Sequence, residues 1–404
     1  MRRGGSGVLV VSLLLAACSA PTQQPLHATA DSAGVRLVRI RNLAGVAFPL
    51  WTSEPVYSTE AHDSLRLGPM VEAGLTPDTS LIVTAGPELA VLDPHGRLQR
   101  PLGRNGNGPG EFRSTFRFGL VADGTVFASD FGSGRITQLR TTGEVVRILP
   151  RLWRSNAAIE VDPITMLPDG RILATYWQRR PNRGTTPGIP LGPVERDSAP
   201  LIVYDTLGRA GDRLGLWFGL ERVRVGLGDE ISRLPIRFAR SAVYDGRGRW
   251  TAIGSTDSLD LSLFDGTALV LRLIAAPPTE RPTSEMAAAW ERTVLAEAPD
   301  VGAAYLRAIA SAAEADRLPA IGGLVVDDTG NLWVGSYEVG AINRRWRVFS
   351  RTGQPIGQLE LPAFAHPFIP GQTELLDVSG DRLAVRRVGG NGEVIVEVRR
   401  IRRP

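Results

Sequence analysis

Arg117, Arg237 and Arg240 are the side chains of this chain whose setting best suits chemistry. Arg117 lies between Phe116 and Phe118, and Arg237 and Arg240 lie shortly before Tyr244-Asp245-Gly246, all in stretches that read as inner strands. A guanidinium presents a planar fork of N–H donors that fits a carboxylate or a phosphate. The chemistry these residues predict is recognition of a small anionic ligand, with ion pairing between neighbouring strands as the alternative use.

Other chemistries lack their residues. All 46 basic residues are arginines, so a Schiff-base lysine or a P-loop lysine is excluded. The 4 histidines are scattered: His27 near the N-terminus, His62 and His95 in polar turn-like stretches, His366 between Ala365 and Pro367. No two share a metal-ligand spacing on one element. Asp327-Asp328-Thr329-Gly330-Asn331 has the flavour of a calcium loop but lacks the later acidic ligand. No Gly-x-Ser-x-Gly elbow occurs, and Phe131-Gly132-Ser133-Gly134 reads as a hairpin tip. The residues therefore predict no catalytic set, no cofactor and no metal.

With 46 basic against 42 acidic residues the net charge is only +4. That is a mixed-sign surface and not a field for a polyanion, so no nucleic-acid partner is expected.

The first residues carry an address. Arg2 and Arg3 precede an apolar run from Val8 to Ala17, too short to span a bilayer and of the length of a signal-peptide core. Leu15-Ala16-Ala17-Cys18 resembles a bacterial lipobox, and Cys18 is the only cysteine in the chain. The resemblance implies lipidation at Cys18, a membrane contact through that lipid, and a mature protein without disulfides. Residues 19–34, small, polar and proline-bearing, read as a flexible tether.

From residue 35 onward one unit recurs: a short apolar run, a turn with Asp and Gly, and a second apolar run. Clear copies centre on Asp123-Gly124, Asp169-Gly170 and Asp327 to Gly330, and weaker ones on Asp78-Thr79, Asp245-Gly246 and Gly380-Asp381. Asp caps its own turn and Gly takes positive φ, which is the strongest short-range hairpin signal. A second hairpin follows most copies, as at Thr142-Gly143 and Thr352-Gly353. Two linked hairpins make a four-stranded antiparallel sheet the size of a propeller blade.

The pattern resembles the six-bladed β-propellers of the NHL-repeat and TolB-like kind over residues 35–403. The stretch Gly103-Arg104-Asn105-Gly106-Asn107-Gly108-Pro109-Gly110-Glu111-Phe112 resembles the string that joins consecutive blades in exported bacterial members. A phosphate-binding loop would need a helix after the glycines and a lysine or ribose-binding acid beyond, and neither is present. The glycines are thus expected to supply positive φ, and Phe112 to wedge between blades.

Only three strands are evident in the last copy, over 373–377, 382–388 and 393–401. The alternating run Val35 to Arg41 is expected to close the ring as its fourth, outer strand, removing open edges. Two insertions interrupt the spacing. Trp177 to Pro200, rich in Gly, Pro and Arg, reads as an exposed loop of the third blade. Residues 282–318 read as an αα-hairpin, capped by Thr283 or Ser284, with Met286, Trp290 and Val294 on one stripe and Val301, Tyr305 and Ile309 on the next. Such a hairpin either buries its own faces or lies over one mouth of the channel.

The expectation is an all-β chain, a six-bladed β-propeller with an N-terminal strand closing the last blade and a small helical insertion. It would be exported, lipid-anchored and facing the periplasm at the outer membrane, acting as a binding module for an envelope protein or a small anionic ligand. The resemblance implies a second class: a lactonase-like enzyme acting on an anionic or sugar-derived substrate in the channel.

Overall fold

The computed structural model describes residues 27–68, 70–130, 132–149, 152, 159–178, 192–227, 230–297, 314–364 and 374–404. Cys18 and the rest of residues 1–26 lie outside the described residues, as do 179–191 at the centre of the first insertion and the stripe Val301, Tyr305, Ile309 of the second.

The described chain is all-β with one α-helix, Ser284–Glu297. Six sheets of three or more strands follow one another along it, each starting from an innermost strand. These innermost strands are Ala73–Leu75, Thr115–Leu120, Ile159–Met166, Ala242–Arg247, Gly323–Val326 and Leu375–Ser379. Each packs against the innermost part of the next sheet in chain order, and Leu375–Ser379 packs back against Ala73–Leu75.

The reason they stack is visible in the core. Each sheet is apolar on both faces, so neither face can be left to water. Six apolar clusters fill the six gaps between consecutive sheets, including the one between the last sheet and the first, where Ala384, Val396 and Val398 meet Leu75, Val83 and Leu92. Trp333 and Trp346, both fully buried, fill the gap between the fifth and sixth sheets. Burying each such large side chain is worth about 1.5–3 kcal/mol.

The hairpin turns fall where Asp and Gly predict at Gly124, Gly170, Gly330 and Gly380, all with positive φ. The fourth sheet differs: Asp245 and Gly246 lie inside the strand Ala242–Arg247, and the turn is made at Gly248 with φ +60°. Gly246 is there for packing, since a Cβ would come within 2.7 Å of the Ile164 carbonyl and 2.8 Å of Thr165.

The glycine-rich stretch is a crossing loop between the first and second sheets. Phe112, fully buried, sits among Ile82, Leu89 and Leu102 of one and Phe118, Val126 and Leu139 of the other. Gly103 has φ +80°, and a Cβ there would stand 2.3 Å from the Phe112 ring. Glu111 ties the loop by accepting from the Gly108 N–H at 2.6 Å and from Arg104 Nε at 2.6 Å.

The N-terminal strand is not where the sequence pattern places it. Val35–Ile40 does not join the last sheet; it runs parallel to Ala268–Ala275 at the outer edge of the fourth. The partner of Val394–Arg402 is Thr52–Ser58, antiparallel, with Arg399 opposite Pro55. Pro55 disguises this strand, yet on an outermost strand its missing N–H costs no ladder bond. Residues 27–32, expected within the tether, pair with 35–40 as a hairpin through Ala33 and Gly34, both at positive φ. The end of the first insertion is also strand: Glu195–Tyr204 pairs with the long strand Ala210–Leu227, itself extended by Glu230–Pro235.

Candidate functional site

The innermost strands carry charged side chains where an ordinary core would carry apolar ones, and these side chains meet. On Ala242–Arg247 the alternation sends Tyr244 toward the third sheet and Asp245 toward the fifth. The Tyr244 hydroxyl accordingly donates to Asp162 Oδ2 at 2.6 Å, and Asp245 Oδ2 accepts from the Val326 N–H at 2.7 Å. From the second sheet, Arg117 donates from Nη1 to Asp162 Oδ1 at 3.3 Å and lies over the Tyr244 ring, 5.4 Å from its centre. Glu72, immediately before the first sheet's inner strand, stands in the field of Arg117, Asp162 and Arg386.

Nearer the ends of the same strands, Arg247 leaves the fourth sheet and reaches two others. It forms an ion pair with Asp377 of the sixth sheet and donates from Nη2 to the Leu75 carbonyl of the first at 2.6 Å. Asp377 in turn accepts from the Leu75 N–H at 2.6 Å. The neighbouring Gly248 donates its N–H to the Leu120 carbonyl of the second sheet, and its carbonyl accepts from Thr165 Oγ1 of the third. Five sheets are thus bound together at this end by one turn. Arg247 and Asp377 are each only 8% exposed.

Toward the strand beginnings the residues are less closed off. Glu72, Arg117, Tyr244 and Asp245 are half-buried, and the Arg117 side chain keeps 20% of its surface. Burial would weaken the charge of Arg117, but Asp162 and Glu72 outweigh it and hold the guanidinium more firmly protonated. Burial, with Asp162 beside it, pushes the Tyr244 phenol well above its usual value. Burial also raises the Glu72 carboxyl, with Arg117 opposing. Asp245 is pushed up to about 6 by burial, with its hydrogen bond from Val326 pulling the other way and the charge of Asp377 adding to the rise.

Among the described residues, the only hydrogen bond of Arg117's guanidinium is the one to Asp162, and Glu72's carboxylate has no hydrogen bond or ion pair. Arg386 is fully buried with its guanidinium 4.0 Å from the centre of the Phe364 ring, and it acts on Glu72 through its charge.

Arg237 and Arg240, expected beside Arg117, are engaged elsewhere. Both precede the inner strand instead of lying on it. Arg237 pairs with Glu291 of the helix at 2.9 Å and with Glu314 at 3.2 Å. Arg240 grips Glu221 at 2.6 Å and pairs with Asp316 at 3.0 Å and Asp257 at 3.4 Å. Their carboxylate-binding forks are used, but by acids of this chain that clamp the insertion. Of the three arginines, Arg117 alone meets the inner-strand cluster.

Glu72, Asp162, Tyr244, Asp245, Arg247 and Asp377 were not among the site residues the sequence predicts, and Asp245 was read only as part of a hairpin turn. Asp162 and Asp377 carry the signal that marked Arg117, a charge flanked by apolar residues in a strand, and the same criterion applied to acids would have found them. Glu72 has the same apolar flanks, Val71 and Ala73, but stands just before its strand. As for metals, His62 Nε2 is spent on the Gly96 carbonyl at 2.7 Å, and among the described residues no group of three or more His, Cys, Asp or Glu is placed to hold an ion.

No family model matches the chain, and no curated protein matches it. Solved structures are similar only distantly. A Bacteroides fragilis protein inferred to be exported is 11% identical, with 91% of this chain and 99% of that one covered and a TM-score of 0.46. A member of the duf4221 family from Bacteroides vulgatus is 8% identical over 89% of this chain and 98% of its own, at a TM-score of 0.45. The calcium-binding protein regucalcin from Agrobacterium tumefaciens is 12% identical over 87% and 97%, at 0.37. These likenesses are too weak to bear on the chemistry of the site.

Proposed function

We propose that the six sheets are the blades of a closed six-bladed β-propeller, exported and anchored in the cell envelope through a lipid on Cys18. The ring is closed by Thr52–Ser58 on the outer edge of the last sheet. The protein acts as a binding module whose small polar ligand enters the axis from the end where the inner strands begin.

The observation that carries this reading is the reach of Arg247 from the fourth sheet to Leu75 and Asp377. A charged pair spanning the centre closes one end of the axis, so the space above it is a blind pocket and not a through-channel. Its wall then holds half-buried Arg117, Glu72 and Tyr244, groups that keep unused hydrogen-bonding capacity or lie beside those that do. Concave sites with a few convergent polar groups and shifted titrations are where small ligands bind.

Thiol labelling tests the pocket. In a Cys18→Ser background, Glu72→Cys should react readily with a small polar methanethiosulfonate in the folded protein. Thr165→Cys, at the closed end where Thr165 is fully buried, should react only as fast as the protein unfolds. Equal protection at both positions would defeat the blind-pocket reading.

A further inference from the structure

We infer that the ligand of this pocket is a zwitterion of the amino-acid class, its carboxylate on the Arg117 fork and its ammonium on Glu72. The inference rests on the blind-pocket reading and deepens it.

Arg117 has donors to spare. One of its five N–H groups goes to Asp162 at 3.3 Å, and the guanidinium carbon lies 5.4 Å from the centre of the Tyr244 ring. The Tyr244 hydroxyl is committed to the other oxygen of the same carboxylate. The fork is therefore fixed in place by Asp162 and Tyr244 while part of its edge stays open, with 20% of the side chain exposed. A fixed, open guanidinium edge is a bidentate carboxylate receiver.

Glu72 lacks what Arg117 offers. Its side chain is half-buried immediately before the first sheet's inner strand, within the field of Asp162, and no described side chain donates to its carboxylate. An enclosed carboxylate without a donor is costly, and a cationic donor entering the pocket relieves that cost. The raised titration of Glu72 has the same origin. Arg386, fully buried against Phe364, acts on Glu72 through its charge.

The remaining charges set the class. Asp162 is taken by Arg117 and Tyr244, Asp245 by the Val326 N–H, and Asp377 by Arg247 and Leu75. What is left unspent is one cationic edge and one anionic group. A ligand carrying only negative charge would be repelled by Glu72, and one carrying only positive charge by Arg117. A compound with both charges on one small frame satisfies both.

The experiment is calorimetric titration of the full-length mature chain with the proteinogenic amino acids, their methyl esters, their N-acetyl derivatives, succinate, putrescine and glucose. At least one free amino acid is expected to bind, with the ester and the N-acetyl form of the same compound each weaker by on the order of tenfold or more. Glu72→Gln should weaken the free acid and leave the N-acetyl form unchanged. Arg117→Gln should weaken the free acid and leave the ester unchanged. Binding of succinate, putrescine or glucose in preference to every amino acid overturns the inference, as does equal binding of the blocked derivatives. If nothing in the panel binds while Glu72→Cys labels from solution, the pocket stands and the ligand class falls; if Glu72→Cys does not label, the pocket itself falls.

Discussion

Arg247 and Asp377, 130 residues apart in the chain, form an ion pair in which both side chains are 92% removed from solvent. The pair ties the fourth sheet to the sixth, and through the backbone of Leu75 to the first. Removing one partner strands the other charge in a low-dielectric interior, which costs about 3–5 kcal/mol. Arg247→Met and Asp377→Asn should each lower the unfolding free energy by that order. The double variant should lose less than the sum, because no lone charge remains. Urea denaturation of the three variants measures this, and strict additivity would show that the two side chains do not act as a pair.

The contacts at the chain ends predict an asymmetry between two truncations. Removing residues after Gly392 deletes the strand Val394–Arg402, leaves Thr52–Ser58 without a partner and opens the cluster that joins the last sheet to the first. Cooperative unfolding and the near-ultraviolet circular dichroism of the packed tryptophans should be lost. Removing residues 27–40 takes only the two outermost strands of the fourth sheet, and with them the buried Val38 and Ile40. That protein should fold, less stable by about 3–6 kcal/mol from the two side chains alone. A folded, cooperative C-terminal truncation would refute ring closure through residues 52–58.

How far the fold was legible depended on whether a residue's job was local. Gly124, Gly170 and Gly330 turn the chain, and the Asp before each caps the turn, so sequence spacing located the hairpins. Gly246 looked the same in sequence but serves a contact with Ile164, some eighty positions away. Pro55 hid the strand Thr52–Ser58 that pairs with the last one, because proline is read as a strand breaker, although an edge position tolerates it. The candidate site was the least legible part. Arg117 was recognisable from Phe116 and Phe118 alone, but its partners Asp162 and Tyr244 lie on two other sheets and become its neighbours only when the three sheets stack. Arg237 and Arg240 share the local pattern of Arg117, but the insertion brings Glu291, Glu314 and Asp316 to them and the third sheet brings Glu221.

Asp245 gives stability a dependence on pH with a definite sign. Its carboxyl is pushed up to about 6 in the fold from an ordinary value of 3.8, chiefly by burial. Between those values the folded protein holds the proton more tightly than the unfolded chain, so stability is fully present below pH 3.8 and falls as pH rises toward about 6. Each unit of difference corresponds to about 1.4 kcal/mol. Asp245→Asn abolishes this contribution. The difference in unfolding free energy between the wild type and Asp245→Asn should therefore shift in favour of the wild type on going from pH 7 to pH 4. The comparison removes the opposing contributions of acids such as Asp130 and Asp257, whose values are lowered and which are common to both proteins. A pH-independent difference would mean that Asp245 stays ionised throughout.

The helix Ser284–Glu297 packs against the third sheet and the segment leading into the fourth sheet's inner strand, and its attachment is expected to be separable from the stability of the sheets. Thr283 caps it through Oγ1 to the Met286 N–H at 3.2 Å, and Trp290 buries itself among Val223, Leu234, Ile236 and Phe238 of the third sheet and the segment that follows it. Arg237 adds the ion pair to Glu291 on the helix and the pair to Glu314 where the chain returns. Trp290→Ala removes the apolar anchor, at a cost of about 3–5 kcal/mol that falls on the helix alone if the insertion opens as a local unit. Arg237→Met removes the polar anchor and leaves the apolar one. Trypsin cleavage at Arg292, which is exposed on the helix, should accelerate in both variants and most in Trp290→Ala, while the global urea midpoint moves little. If the insertion is also the lid of the pocket, labelling of Glu72→Cys should quicken in the same two variants. A midpoint that falls as far as cleavage accelerates would make the helix part of the global folding unit, and unchanged labelling would separate it from the pocket.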